Sequence, residues 1–246
     1  MQSKIKPDTK FFNTDVAIEK YGKAVWNVGL WKSESILFEK YASKNSKIID
    51  IGCGAGRTTF ALYLAGYHNI IGVDISEKLI HEALKNNQYL KLNIRFFNMD
   101  IIKTPFKTNT FDVAFFSYNG LTGIPTQQRR LDILKEIYRI LKPNGYFIFC
   151  AHDRDEDKDS KKFWLHEYER WKSGKNNPML YEYGDVLVEQ GKNYEFLHYY
   201  SHNEMIDFIH NTNFQIVESL NRKDIAREPC EVTKFSKETC FWILKK

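Results

Sequence analysis

The chain's densest concentration of chemically suggestive residues is the stretch IIDIGCGAGRTTF, Ile48 to Phe60. Gly52, Gly54 and Gly56 alternate there, and Asp50 stands just before them. Glycines so placed remove Cβ atoms where a ligand must touch the backbone, and they permit positive φ. The spacing is not that of a dinucleotide turn, G-x-G-x-x-G: the third glycine comes one residue early and Arg57 holds the next slot. A phosphate loop ending in G-K-[ST] is absent as well. The carboxylate of Asp50 favours a ligand with a positive charge or an amino group. Two further carboxylates follow. Asp74 can accept two hydrogen bonds from ribose hydroxyls. Asp100, beside the aliphatic Ile101, suits a purine whose amino group donates a hydrogen bond. His152, in CAHD, is the candidate general base, because a neutral imidazole takes a proton near pH 7. Asp153 is the alternative base, and a histidine that only hydrogen-bonds its own loop is the competing reading.

These residues need elements to hold them. KIIDI (47–51) and NIIGVD (69–74) are short apolar runs of the kind that form parallel strands buried on both faces. NIRFFNMD (93–100), FDVAFFS (111–117) and YFIFCAH (146–152) continue the series, the last after a turn at PNG. Helices alternate with them: RTTFALYLAG, ended by Gly66; SEKLIHEALKNNQ, capped by Ser76; and QQRRLDILKEIYRILK, with Leu131, Leu134, Ile137 and Leu141 on one face. Strand–helix alternation of this length means an α/β protein with a mostly parallel sheet, whose ligands bind beyond the carboxyl ends of the strands. Regularity breaks after His152. SKKFWLHEYERWKSG reads as a helix, and DVLVEQGKNYEFLHYY as two strands joined near Gly191. SHNEMIDFIHNT carries a capping box at Ser201 and Glu204. FQIVESL and TCFWILKK are two last strands separated by a long link.

The bulk properties exclude several classes. The 36 basic residues against 31 acidic ones give a net charge of only +5, scattered along the chain, which argues against nucleic acid as a partner. Cys53, Cys150, Cys230 and Cys240 show no CxxC spacing, so neither a zinc site nor a disulfide framework is expected, and a reducing compartment suits them. The amino-terminal residues lack the apolar core of a signal peptide, and no run approaches the roughly 20 apolar residues of a membrane span. The expectation is a cytoplasmic protein that neither crosses nor anchors to a membrane.

The series IIDIGCGAG, IIGVDIS, FFNMDI, FDVAFFSYNGL and EIYRILKPNGYFIF resembles the class I S-adenosylmethionine-dependent methyltransferases, in order and spacing, over about residues 45 to 152. The resemblance implies a Rossmann-like, mostly parallel sheet of seven strands flanked by helices, the last strand antiparallel. It implies S-adenosylmethionine as cofactor and S-adenosylhomocysteine as product. It implies that Asp50 and the backbone of Gly52, Cys53 and Gly54 face the methionine part, with Gly56 completing the loop. Asp74 would hold the ribose, Ile75 would pack on the adenine, and Asp100 and Ile101 would bind the adenine edge. Ser117, Tyr118 and Asn119 would lie beside the reacting methyl group. Tyr21, Trp26 and Trp31 fall where many relatives carry an amino-terminal lid. The expected organisation is a helical cap (1–44), the cofactor-binding core (45–152), an α+β insertion over the active site (153–200), and a completion of the core (201–246).

The acceptor is less marked. SYNGLTGIP does not match the [DN]-P-P-[YFW] of enzymes that methylate amino groups of nucleic-acid bases, and Pro229-Cys230 lies far from the slot of a cytosine-C5 nucleophile, so Cys230 reads as a loop cysteine. Asp153, Asp155, Asp157 and Asp159 alternate like a calcium loop, but Lys158 takes the glycine slot and Trp164 the final glutamate slot. A solvated connector and no metal are expected. Aromatics crowd the insertion, among them Phe163, Trp164, Trp171 and Tyr183, as a lid over the site, as the insertion's own small core, or as both. Methyl transfer to oxygen or nitrogen of a small molecule is the reading the chain favours. A tRNA or rRNA methyltransferase and a non-catalytic cofactor-binding module are the alternatives.

Overall fold

Residue by residue, β1 (Ile48–Ile51) and β2 (Ile70–Asp74) are buried throughout, as strands covered on both faces must be. In the computed structural model, which describes residues 9–246, they pair in parallel, and β3 (Arg95–Asn98), β4 (Phe111–Phe116) and β5 (Leu141–Ala151) extend the sheet on either side. The strand order is β3-β2-β1-β4-β5-β9-β8, where β8 is Gln215–Asn221 and β9 is Cys240–Lys245. β9 runs antiparallel to both neighbours and is the one reversed strand of the seven. The seven-stranded, mostly parallel sheet of the sequence reading is thereby present. Strand order reverses between β1 and β4, so a crevice opens beyond their carboxyl ends.

Helices cover both faces. Ile49 and Ile51 pack on one side with Leu134 and Ile137 of α5 (Gln127–Ile140) and Phe208 of α7 (His202–His210). Ile48, Phe115 and Ile148 pack on the other with Phe38 of α2 (Lys32–Tyr41) and Leu62 of α3 (Arg57–Leu64). The alternation follows from the two-residue period of a strand. Ser76 caps α4 (Glu77–Tyr89) by accepting from the Leu79 N–H, and Ser201 with Glu204 forms the capping box of α7. Ahead of the sheet, a 3-10 turn (Thr9–Asn13) leads into α1 (Asp15–Asn27), capped by Thr14. Residues 1–8 of the expected cap lie outside the described residues. Among the described residues, no helix is long and apolar enough to cross a membrane.

Two details differ from the sequence reading and a third adds to it. PNG does not precede β5 but lies inside it: Leu141 pairs with Phe111 and Tyr146 with Val113, so residues 142–145 bow out of register around Asn144 at φ 64°. The link between β8 and β9 folds into α8 (Arg222–Ile225) and α9 (Cys230–Phe235), which puts Cys230 at a helix start, exposed, instead of in a loop. The acidic run after His152 serves the chain locally, Asp157 accepting from the Ser160 N–H at 2.8 Å to cap α6 (Lys158–Lys172).

The insertion is α6 followed by a hairpin of β6 (Asp185–Gln190) and β7 (Asn193–His198). It has its own core, centred on buried Trp164, which meets Tyr183 edge-on and also contacts Tyr199 and Phe163. It is pinned to the sheet by the His198 N–H, which donates to the Thr122 carbonyl at 2.8 Å. Trp164→Ala empties the middle of this layer and should lower unfolding stability by about 3 kcal/mol in a urea titration.

Candidate active site

A cavity of about 330 Å³ occupies the crevice, within the size range of small-ligand sites. One wall comes from the sheet: residues 51–55, the ends of β2 and β3, and the turn after β4. The other comes from the 3-10 turn, α1, β7 and Phe235 of α9. Of the residues singled out in the sequence, Gly52, Cys53, Gly54, Asp74, Ile75, Asp100, Ile101, Ser117, Tyr118, Asn119 and Tyr21 all line it. Asp50, Gly56 and His152 do not.

The glycine loop is shaped from within. Gly52 adopts φ 62°, and a Cβ there would sit 2.5 Å from the Phe116 ring. Gly54 adopts φ 55°, and its N–H donates to Asp74 Oδ2 at 2.8 Å. Asp74 Oδ1 accepts from the Ser76 N–H at 2.7 Å. Two backbone donors thus fix the Asp74 carboxylate while each oxygen keeps capacity for another donor. Burial raises its carboxyl against the effect of those donors. Asp100 sits at the rim, accepting from the Ile102 N–H and lying 3.4 Å from the Arg129 guanidinium.

Two loop residues differ from their expected roles. Asp50 does not line the cavity: Oδ2 accepts from the Thr58 and Thr59 hydroxyls at 2.5 Å each, and Oδ1 is buried with no partner among the described residues. Burial pushes its carboxyl up to about 6. It braces the start of α3. Gly56, at φ 96°, is the N-cap of α3; a Cβ would meet Phe60 at 2.3 Å, so its lack of a side chain serves packing.

Arg57, the residue in the missing glycine's slot, is buried and forms a two-pronged pair with Glu34 of α2, both N–O distances 2.9 Å. It also donates to the Gly29 carbonyl at 2.6 Å and to Ser117 Oγ at 2.7 Å, and Ser117 in turn donates to Glu34. Its guanidinium lies 5.1 Å from the centre of the Trp31 ring. Trp31 is therefore core, whereas Trp26 is half exposed against Tyr89. Sequence reasoning missed Glu34. No spacing rule links positions 34 and 57; the only signal was an acidic residue among the apolar positions of α2.

His152 is corrected by the structure as a base. The Glu238 carbonyl can only accept, so Nδ1, 2.8 Å away, carries the proton. Nε2 then accepts from the Asn119 amide at 3.0 Å, and the Thr239 hydroxyl donates to Asn119 Oδ1, fixing the amide's direction. Both ring nitrogens are committed, the ring stacks on Tyr199, and burial pulls its pKa down to about 4. His152 thus holds Asn119, which lines the cavity at φ 58° beside Tyr118 at φ 51°. Asp153 also stays off the cavity, accepting from the Asp155 N–H.

The insertion supplies Glu195, Phe196 and Leu197 to the wall. Glu195 is buried; Oε1 accepts from the Tyr21 hydroxyl at 3.1 Å, and Oε2 from Lys20 at 3.4 Å and Gln190 at 3.2 Å. Phe235 stacks on Tyr118 at 4.4 Å, and its carbonyl accepts from the Tyr118 hydroxyl. Glu195 and Phe235 carried no sequence signal, since each reaches the cavity only through the fold of a late segment.

A family model described as a methyltransferase domain matches residues 42–200. The chain belongs to the methyltransferase-domain family. The fold is that of its class I, S-adenosylmethionine-dependent members: a methyltransferase structure from Methanosarcina mazei superposes with a TM-score of 0.68 at 22% identity, over 89% of this chain and 99% of that one. A Burkholderia thailandensis 1,6-didemethyltoxoflavin N1-methyltransferase, solved with 1,6-didemethyltoxoflavin and S-adenosylhomocysteine, gives 0.62 at 16% identity, over 97% of this chain and 84% of that one. Among curated relatives, a ubiquinone/menaquinone biosynthesis C-methyltransferase of Rickettsia prowazekii is 32% identical over 147 residues, 55% of this chain. The chain spans 56% of that relative's length.

Two outcomes follow from the geometry. Glu34→Ala strands a buried guanidinium and should cost about 3–5 kcal/mol by urea denaturation, more than the double replacement Glu34→Leu with Arg57→Met. The His152 imidazole should stay neutral, protonated on Nδ1, in a nitrogen-detected NMR titration down to about pH 5, titrating near 4 instead of its ordinary 6.5. Because the folded value lies below the unfolded one, its stabilising contribution is complete above pH 6.5 and is lost as the pH falls toward 4.

Proposed function

We propose that this chain transfers the methyl group of S-adenosylmethionine to an oxygen or nitrogen of a small-molecule acceptor. The observation that carries the reading is the two-sided cavity: a backbone wall bared by Gly52 and Gly54 and charged by Asp74, faced by aromatic side chains from the amino-terminal segment and the insertion. The bare wall fits the cofactor: Gly52 and Gly54 hold positive φ with their backbone on the cavity, a Cβ at Gly52 would displace the lining Phe116 ring, and Asp74 keeps free lone pairs there. When bound, S-adenosylmethionine supplies an electrophilic methyl group on a positively charged sulfur.

The chain's own residues then divide the work. The backbone of residues 52–54 receives the amino-acid end of the cofactor, and Asp74 accepts from the ribose hydroxyls with its remaining lone pairs. Ile75 and Ile101 flank the adenine, and Asp100 meets its edge. Ser117, Tyr118 and Asn119 border the reacting centre, with Ser117 oriented by Arg57 and Asn119 by His152. Tyr21 closes the opposite wall. In this division residues 45–152 and 201–246 are the core, the described part of 1–44 is a cap, and 153–200 is a lid that excludes water.

The size and lining of the cavity support a small acceptor over a polynucleotide: it holds about 330 Å³, and the amino-terminal segment, the insertion and α9 contribute mainly aromatic and aliphatic side chains to it. The Rickettsia relative serves ubiquinone and menaquinone biosynthesis and the Burkholderia structure holds 1,6-didemethyltoxoflavin, which supports the same class. Calorimetry with S-adenosylhomocysteine tests the reading. The folded chain should bind it, and Asp74→Ala should weaken binding at least about tenfold, since one charged hydrogen bond contributes about 1.5–3 kcal/mol. Absence of binding by the folded wild-type chain overturns the reading.

A further inference from the structure

Among the described residues, three carboxylates line the cavity: Asp74, Asp100 and Glu195. The first two stand at the ends of β2 and β3. Glu195 alone comes from the insertion, on the opposite wall, which it shares with Phe12, Tyr21, Phe196 and Phe235; Tyr21 bonds it directly and packs against Tyr118, which stacks on Phe235. A buried carboxylate in such a place needs a reason, because desolvating it is costly. Part of the compensation is visible. Lys20 of α1 sits 3.4 Å from Oε2, and Gln190 of the same hairpin donates to that oxygen too. Among the described residues, Oε1 has only the Tyr21 hydroxyl as donor. A carboxylate oxygen takes two donors, so Oε1 keeps one acceptor position. The neighbouring hydroxyl of Tyr118 does not fill it, being committed to the Phe235 carbonyl.

We propose that Glu195 recognises the methyl acceptor through this free position on Oε1 and receives its proton, and that the acceptor is a flat, largely apolar molecule bearing a neutral hydroxyl or amine. The proposal rests on the methyltransferase reading of the cavity and names its acceptor side. Aromatic walls accept a flat apolar body, and a buried acceptor-only group selects for a donor against both its absence and a second negative charge. The step balances. The lone pair of the acceptor oxygen or nitrogen forms the new bond to the methyl carbon. The sulfur–methyl bond breaks with its electron pair left on sulfur, which loses its positive charge. The proton of the acceptor's O–H or N–H passes to Glu195. His152 is not available for this task, both of its nitrogens being engaged. Tyr21 and Lys20 position the carboxylate from α1, so the amino-terminal segment and the insertion share the acceptor site.

The test uses three probes of one shape on the full chain saturated with S-adenosylhomocysteine: 1-naphthol, naphthalene and 1-naphthoate, with affinities read from quenching of protein fluorescence. The wild-type chain should bind 1-naphthol about tenfold or more tightly than naphthalene, a ratio typical of a single buried hydrogen bond to a charged group. 1-Naphthoate should bind more weakly than either. Glu195→Gln, checked for folding by circular dichroism, should lower the naphthol-to-naphthalene ratio several-fold, since a neutral amide makes a weaker hydrogen bond than a carboxylate, while leaving S-adenosylhomocysteine affinity unchanged. Equal binding of naphthol and naphthalene by the wild-type chain, binding of none of the three, or a preference for naphthoate overturns the proposal, the last by making Lys20 the recognition group. These outcomes need no variant to fold. Loss of S-adenosylhomocysteine binding itself is a separate failure, that of the methyltransferase reading.

Discussion

The buried pair between Arg57 and Glu34 ties the site together. A guanidinium with almost no exposed surface cannot be left without a counter-charge, since stranding it costs several kilocalories per mole. Its partner lies on α2, ahead of β1 in the chain, so the start of α3 beside the glycine loop is electrostatically complete only when α2 docks. The same pair reaches Ser117 at the end of β4 and the Gly29 carbonyl between α1 and α2. Three segments that line or carry the cavity are thus referred to one planar cation, whose fixed fork suits several oxygens at once. Trp31 has a second guanidinium near its ring, that of Arg222, at 5.0 Å. The link between β8 and β9 is joined to the amino-terminal segment through that contact and through Glu228, which accepts from Ser33.

Around this anchor the cavity has walls of different origin. The sheet side is made of short turns whose geometry is set by sterics: Gly52 and Gly120 leave room for the Phe116 ring, and Gly56 for Phe60. Bare backbone at the loop therefore serves two ends, an apolar filling beneath and an open surface above. The opposite side is made of side chains on elements that the core does not need for its own hydrogen bonding. Such a division lets one wall hold a constant ligand while the other is fitted to a particular partner molecule.

Local pattern accounts for most of what was readable in advance. Uninterrupted apolar runs marked β1 and β2, helix caps at Ser76 and Ser201 were visible as residue types, and the order of elements implied the sheet. The cavity residues that were legible on the sheet side, Gly52 to Gly54, Asp74, Ile75, Asp100, Ile101 and Ser117 to Asn119, lie at or just beyond strand ends. Asp50, Gly56 and His152 do not line the cavity, because residue type and position along the chain do not say which neighbours a residue will serve. Asp50 and Gly56 turned out to serve α3, one by accepting from two threonines and the other by yielding space. Glu34 was invisible because no local pattern ties it to Arg57, 23 residues on, and Glu195 and Phe235 because their contacts with Tyr21 and Tyr118 span 174 and 117 residues. The short helices α8 and α9 lack an extended periodic pattern and were read as a link.

The contrast between His152 and Glu195 shows what decides a proton-accepting role in such a pocket. Intrinsic basicity favours the imidazole, but a base must present a lone pair to the reacting group. His152 spends one nitrogen on the Glu238 carbonyl and the other on Asn119, and burial lowers its proton affinity further. What it gains is rigidity for a turn held at positive φ on two successive non-glycine residues, Tyr118 and Asn119, a conformation that neighbours must enforce. Glu195 has the reverse balance: a weaker base by type, but on the cavity wall, with one oxygen only half used and its charge offset by Lys20. In the proposed assignment, placing the acceptor's partner on the insertion also means that recognition and exclusion of water arise from the same hairpin. An undocked insertion would leave the site both wet and without its carboxylate, so methyl transfer in the absence of the proper acceptor would lack both of the conditions that favour it.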